Sequence, residues 1–461
     1  MTHERLSTQD TALYCAETQR APLQIGALAL FEAGPLLDSS GHIRLEELRE
    51  RLEARLDAVP RFRQRLVPMP LHLARPVWVD DEQFDIAEHV RSVDLPSPGG
   101  AEELRLLVSR FLESPLDERR PLWELWFVEG LHDGQIGVIL KASHVMADGM
   151  ALLEFALTLL DGGPDPEPRQ PSNWHAATPT STGPLVIGAL GRLGADALAI
   201  VGRTLRSLAH PDQLAADLMS VARGAGSMLA IAPPMPVTGE VGSRRDFAWL
   251  NLPLPALERV KRAHDVTLND VVLAITAGAL RHYLLGTDRS IEGVRPRVLV
   301  PVSTHSGAGD GSTNQFSFFT VALPVPVDDP VVRLRIVHTQ TARAKHERQM
   351  AIAPMLFHLV DIAPVSLLRA LGPPAIARQP FVNLAVTNLP GSPDPLYLAG
   401  ARMTDLHAFI TVTGNLGAII GVISYADRLG VSITADIDMV PDLDALVSAI
   451  EASTEELIAA S

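Results

Sequence analysis

From Gln135 the chain reads Q-I-G-V-I-L-K-A, with Ile136, Val138, Leu140 and Ala142 on one parity. A period of two is the signature of a strand whose alternate side chains share a face, so a strand is predicted over 135–142. Residues 150–160 follow with apolar side chains at helical spacing, and 45–56 (LEELRERLEARL) read as an amphipathic helix. Residues 22–32 (PLQIGALALFE) read as a further strand. The pattern then stops. From Gly162 the chain runs GGPDPEPRQPSNWHAATPTSTGP, poor in large apolar residues and rich in breakers, which predicts a linker. A second breaker, APPMP, spans 232–236.

Beyond Val241 the alternation resumes. Helices are predicted over 268–285, 331–349 and 443–459, and strands over 297–303, 315–325, 381–387, 403–412, 416–425 and 431–437. The fold class that follows is α/β, with two lobes of mixed sheets and flanking helices. Their boundaries are 1–165, a linker with an amphipathic helix over 166–240, and 241–461. Within that linker, 184–210 place Arg192, Asp196, Arg203 and Arg206 on a stripe roughly 80° wide, with apolar or small residues elsewhere. Such a helix suits a membrane interface, its arginines near lipid phosphates; it equally suits a strut packed between lobes.

Composition narrows the classes. Of 461 residues 47 % are apolar and 20 % charged, which is globular. The formal net charge of −15 argues against nucleic acid as a partner, since binding phosphates requires a basic face. Cys15 is the lone cysteine, so no disulfide forms within the chain and no cysteine-held zinc is expected. The start, MTHERLSTQD, lacks the apolar core of a secretory signal. No apolar run reaches the ~18 residues of a membrane span. A cytoplasmic protein, free or on a membrane surface, is expected.

The sharpest candidate for chemistry is KASHVMADGM, residues 141–150. His144 continues the parity of the preceding strand, so it leaves that strand on the apolar face, and imidazole, with a free pKa of about 6.5, suits proton transfer there. Gly149 permits a tight turn, and Asp148 fits the N-cap of the next helix. His144 as a core histidine and Asp148 as a plain cap would give the same pattern.

The company of this segment is more specific. Ser143-His144-Val145-Met146-Ala147-Asp148-Gly149 resembles H-H-x-x-x-D-G, the signature of the bacterial wax ester synthase/diacylglycerol acyltransferase family, which has the chloramphenicol acetyltransferase-like fold. It departs from it in carrying serine first. Pro22-Leu23-Gln24-Ile25-Gly26, Pro60-Arg61-Phe62-Arg63-Gln64-Arg65 and the run Pro115 through Glu124 resemble further landmarks of that family. So do Thr267-Leu268-Asn269-Asp270, Asn314-Gln315-Phe316-Ser317, Thr387-Asn388-Leu389-Pro390-Gly391, Pro395-Leu396-Tyr397 and the terminal Ser424-Tyr425 with Asp436.

The resemblance implies an active-site tunnel between the two lobes and an O-acyltransferase. Long-chain acyl-CoA would donate to diacylglycerol, giving triacylglycerol, with long-chain alcohols as second acceptors giving wax esters. His144 would be the general base. No cofactor and no metal is implied, acyl-CoA being a substrate; the partners are acyl-CoA, a lipid alcohol and a peripheral membrane or lipid-droplet surface. Burying a 16-carbon chain is worth on the order of 10 kcal/mol gross, at about 0.8 kcal/mol per methylene. Other readings are a condensation-type enzyme of the same fold drawing on a carrier-bound donor, and a non-catalytic lipid-binding relative. No G-x-S-x-G elbow supports a serine hydrolase.

Adjacent strand residues face opposite ways, so Ser143 is expected to support the loop rather than meet substrate. In enzymes of this fold the aspartate of the motif pairs with an arginine, which makes Arg63, or alternatively Arg65, the expected partner of Asp148. Asn269 suits either an oxyanion contact at a helix N-terminus or a structural role, and Thr267 with Asp270 forms a capping-box pattern. Asn388 falls in a turn-like sequence and is expected to be structural. The glycine-rich stretch 303–312 reads as a mobile loop and not as a phosphate cradle.

Overall fold

The computed structural model describes residues 4–18, 20–72, 74–165, 174–176, 230–287, 289–303, 316–346 and 365–461. Two six-stranded sheets dominate it. In the first half α1 (Thr8–Ala16), β1 (Gln24–Glu32), α2 (Leu45–Arg55), β2 (Gln64–Val67), β3 (Val77–Asp80) and β4 (Val90–Asp94) are followed by α3 (Ala101–Glu113), β5 (Trp123–Glu129), β6 (Gln135–Ser143) and α4 (Gly149–Leu159). The second half runs β7 (Arg245–Pro253), α5 (Leu254–His264), α6 (Leu268–Gly286), β8 (Arg297–Ser303), β9 (Phe316–Ala322), α7 (Pro330–His346) and α8 (Val365–Ala377). It ends with β10 (Leu384–Leu389), β11 (Tyr397–Leu398), β12 (Ala401–Ile410), β13 (Ala418–Tyr425), β14 (Arg428–Asp436) and α9 (Leu443–Ala459).

The first sheet has the order β11-β12-β1-β6-β5-β4 and the second β7-β14-β13-β10-β8-β9. β6 is central, and all of it beyond Gln135 is buried. Its even positions, Ile136, Val138 and Leu140, pack with Leu152 and Phe155 of α4. On its other face Ile139 packs with Leu104, Val108 and Leu112 of α3. A strand covered on both faces needs apolar residues at both parities, which is why 135–142 alternates only imperfectly. In the second half α6 is buried almost throughout, against the sheet on one side and α7 and α9 on the other.

The lobes in space are not the halves of the sequence. β12 leaves the second half and pairs antiparallel with β1, from Ile25 opposite Ile410 to Phe31 opposite Met403. Its other side lies against β13 and β14 at a spacing that only small residues permit. A Cβ at Gly421 or Gly430 would strike the carbonyl of Ala408 or Leu406, and Ser432 donates its hydroxyl to the Ala408 carbonyl. Phe247 and Phe409 join Leu28, Leu30, Val128 and Ile139 in one apolar cluster across this junction. Arg105 of α3 reaches Asp246 and Asp444, tying the lobes at their rim.

One polar side chain sits inside the junction. His407 is fully buried, and among the described residues neither ring nitrogen has a hydrogen-bond partner. Burial pushes its pKa down from 6.5 to about 4; the nearby Asp405 carboxylate opposes the shift and the Arg428 guanidinium adds to it. Asp405 is itself engaged by Arg428 at 2.7 Å and by Asn251 at 2.6 Å.

Most predicted elements are found within a few residues, and 297–303 and 443–459 coincide with β8 and α9. The strand expected over 315–325 stops at Ala322, before the breaker Pro324. The helix over 184–210 and the loop 304–312 lie outside the described residues. No described helix is long and apolar enough to cross a membrane.

Candidate active site

β6 ends at Ser143, and the chain turns at once. The Ser143 N–H donates to Leu122 O at 2.9 Å, the His144 N–H to Leu23 O at 2.9 Å, and the Met146 N–H back to Ser143 O at 2.9 Å. Buried Ser143 accepts the Val145 N–H on its hydroxyl at 3.3 Å, so it braces the turn. Asp148 then caps α4. Its carboxylate accepts the Ala151 N–H at 2.8 Å and its carbonyl the Leu152 N–H at 2.8 Å. Gly149 faces the other lobe, and a Cβ there would press on Leu389.

The turn opens into a cavity of about 590 Å³ between the two sheets. Leu140, Ala408 and Ile410 line it from the first sheet, Leu299, Phe319 and Ile419 from the second, and Leu152 and Ala156 from α4. The polar groups on this wall are few: His144, Asp148, Asn269, Thr387 and Asn388 are among them. His144 is only partly exposed, and it borders the cavity.

Burial holds the His144 pKa below its usual value, so the ring is neutral at pH 7. Opposing that shift are an interaction with its own main-chain carbonyl and the negative charges of Asp148 and Asp10. Asp10 is buried on α1, where the Ser7 hydroxyl donates to it at 2.7 Å and accepts its N–H at 3.1 Å. A neutral imidazole that two carboxylates help once it gains a proton is suited to general-base work.

Asn269 reaches the cavity because it lies in the first turn of α6. The neighbouring Asp270 is turned inward. It accepts the Thr267 N–H at 2.9 Å, His338 Nδ1 at 2.9 Å and the Thr341 hydroxyl at 2.6 Å, completing the capping box. Although burial works the other way, these donors hold its carboxyl below the usual range. Asn388, expected in a turn, is still within β10 and borders the cavity.

The arginines expected beside Asp148 have other partners among the described residues. Arg63 is buried and gives its guanidinium to Asp57 and to the Glu53 carbonyl, while Arg65 approaches Asp81 at 4.0 Å. Glu53 lies in the last turn of α2, and its carbonyl accepts both the Leu56 N–H and the Arg63 guanidinium. Asp10 was not anticipated from the sequence, although Ser7-Thr8-Gln9-Asp10 carries the spacing of a helix cap that would have placed α1.

Comparison with known proteins settles the family. The model of the wax ester synthase/diacylglycerol acyltransferase catalytic domain matches residues 6–272, and that of the family's C-terminal domain matches 312–458. The chain belongs to the wax ester synthase/diacylglycerol acyltransferase family. It is an acyltransferase. A probable diacylglycerol O-acyltransferase of Mycobacterium tuberculosis is 33 % identical over 471 residues, covering 99 % of this chain and 96 % of the relative. Another from that organism is 30 % identical over 465 residues, covering 97 % of each. Among solved structures, the wax ester synthase/diacylglycerol acyltransferase of Marinobacter aquaeolei has a TM-score of 0.70 at 24 % identity, covering 98 % of both chains. The starter condensation domain of rhizomide synthetase reaches 0.61 at 14 % identity, covering 99 % of this chain and 94 % of that one, a likeness of fold alone.

Proposed function

We propose that this family member transfers a long-chain acyl group from acyl-CoA to diacylglycerol, and to long-chain alcohols as second acceptors, with His144 as general base. The observation that carries the reading is the position of His144: a neutral ring at the edge of a largely apolar cavity between two sheets. The names of the relatives agree with diacylglycerol as acceptor.

In the proposed step the acceptor hydroxyl gives its proton to Nε2 of His144 as its oxygen attacks the thioester carbonyl. With Nε2 as the base, the neutral ring carries its proton on Nδ1. The tetrahedral oxyanion then collapses, the C–S bond breaks, and the proton passes from the imidazolium to the leaving thiolate. Asn269 is the proposed partner of the oxyanion. A base so placed typically contributes ~10²–10⁴-fold in rate. Acyl-CoA is consumed as a substrate and the step calls on no cofactor or metal. The protein would work in the cytoplasm at a membrane or lipid-droplet surface, where both lipid substrates lie.

Labelled palmitoyl-CoA offered with diacylglycerol and hexadecanol, beside palmitoyl carried on an acyl carrier protein, tests the reading. Labelled triacylglycerol should dominate. Transfer from the carrier protein alone would assign the condensation-type reaction, and lipid binding without turnover would refute catalysis.

A further inference from the structure

Seven large apolar residues are exposed among those described, and three of them gather at α8. Leu367 is 48 % exposed and Leu371, one turn on, 59 %. Pro374, also exposed, continues the same stripe. Ile231, 77 % exposed, is held beside the end of the helix because the Ala232 N–H donates to Pro380 O at 2.7 Å.

The opposite side of α8 is packed. Val365 is buried, Gly372 faces the Cys15 carbonyl of α1, and Ile376 fills the space in front of Gly414. Those two neighbours also build the cavity: Leu13 of α1, and Thr413 and Leu416 on either side of Gly414, stand in its wall. The outward stripe therefore lies over one end of the cavity that His144 borders.

Its charge is equally distinctive. The chain carries 54 acidic residues against 39 basic ones, yet none of the acids falls between Val365 and Pro393. The charged side chains of that stretch are Arg369 and Arg378, both exposed. A short helix with a leucine stripe, arginines and no carboxylates matches an interface rich in acyl chains and anionic headgroups. A second copy fits less well. A two-fold contact through the helix would set the same arginines against each other with no acid on the helix to receive them. A helix of this length, about 20 Å long, also offers little of the ~1,200 Å² that stable dimers bury.

We infer that α8, with Ile231 beside it, is the face on which this protein docks to an anionic phospholipid surface, setting one end of the cavity against the lipid. The inference rests on the proposed lipid acyl transfer for its purpose, and its test needs no turnover. The full chain is floated with vesicles of phosphatidylcholine, with and without a fraction of phosphatidylglycerol. Binding should favour the anionic vesicles and weaken with salt. Leu367→Glu with Leu371→Glu should lower partitioning at least about tenfold, and Arg378→Gln should remove part of the salt dependence. A Leu371→Cys variant bearing an environment-sensitive fluorophore should shift to the blue on vesicles; Cys15 is buried and its thiol is pushed up to about 11, which keeps the label selective.

Unchanged partitioning of the glutamate pair would overturn the assignment. So would a label at 371 that stays unshifted while the protein floats, or one that shifts with protein concentration in the absence of lipid. Transfer between a short-chain acyl-CoA and a soluble alcohol should survive in the glutamate pair. If instead the wild-type chain docks through α8 and transfers no acyl group, the docking stands and the proposed function falls.

Discussion

His407→Leu should make the protein less sensitive to acid. In the native chain the ring is fully buried between β12 and β14, with a pKa of about 4 against 6.5 when exposed. Between those values the unfolded chain binds a proton that the folded chain refuses, so stability falls as the pH drops from 6.5 towards 4. At 1.36 kcal/mol per pKa unit the full loss is about 3 kcal/mol. Leucine has nothing to protonate and leaves no ring nitrogen unpartnered in the junction, a further gain of up to about 1–3 kcal/mol at any pH. The assay is thermal unfolding of both proteins from about pH 7.5 to about pH 4.5, the range over which the linkage acts. The variant should be at least as stable at the upper end, and its advantage should widen by roughly 3 °C at the lower end. An offset that stays constant across the range would refute the reasoning, because it would mean that His407 is protonated equally in the folded and unfolded chains.

His144→Ala should reduce turnover at least ~100-fold without lowering the melting temperature; near-normal activity in a folded variant would remove the residue from the reaction. In the wild type the acid limb of the kcat/KM profile should report a pKa below 6.5, since burial depresses that of the ring. Asp148→Ala should cost about 1 kcal/mol, the usual loss of an N-cap, and should move that limb lower by removing a charge that favours the imidazolium. Asp148→Asn should keep most of the stability and show the same shift in the limb, and a limb that does not move would leave Asp148 a purely structural residue. Asp270→Asn should destabilise by about 2–3 kcal/mol, because a carboxylate that accepts three hydrogen bonds is replaced by an amide with one acceptor. The Asp270 contribution is present at neutral pH and fades as the pH falls through its depressed pKa, so wild type and variant should converge in strong acid.

What could be read along the chain was mostly what depends on near neighbours. β8 and α9 have regular apolar spacing and clear ends, and they lie where the pattern puts them. The same parity places His144 on the cavity side of β6 and Ser143 in the brace behind it. Helix α1 escaped notice because its signal is a cap, Ser7 with Asp10, and not an apolar stripe. The partners of Arg63 were hidden for a different reason. A guanidinium can satisfy helix-end carbonyls as well as carboxylates, and only the packed structure shows that Arg63 reached Glu53 and Asp57. Nor does local pattern say which sheet a strand joins. β12 looks like any other strand of the second half, and its partner β1 lies hundreds of residues earlier.

That distant pairing also sets the order in which the chain can be built. During translation β1 and β6 leave the ribosome long before residue 410 does. At about 5–20 residues per second the wait is roughly ten seconds to a minute. For that time β1 shows the solvent an unpaired edge running from Ile25 to Phe31, and bare strand edges recruit other chains. The nascent protein is therefore most prone to aggregate after His144 has been made and before β12 arrives to cover that edge.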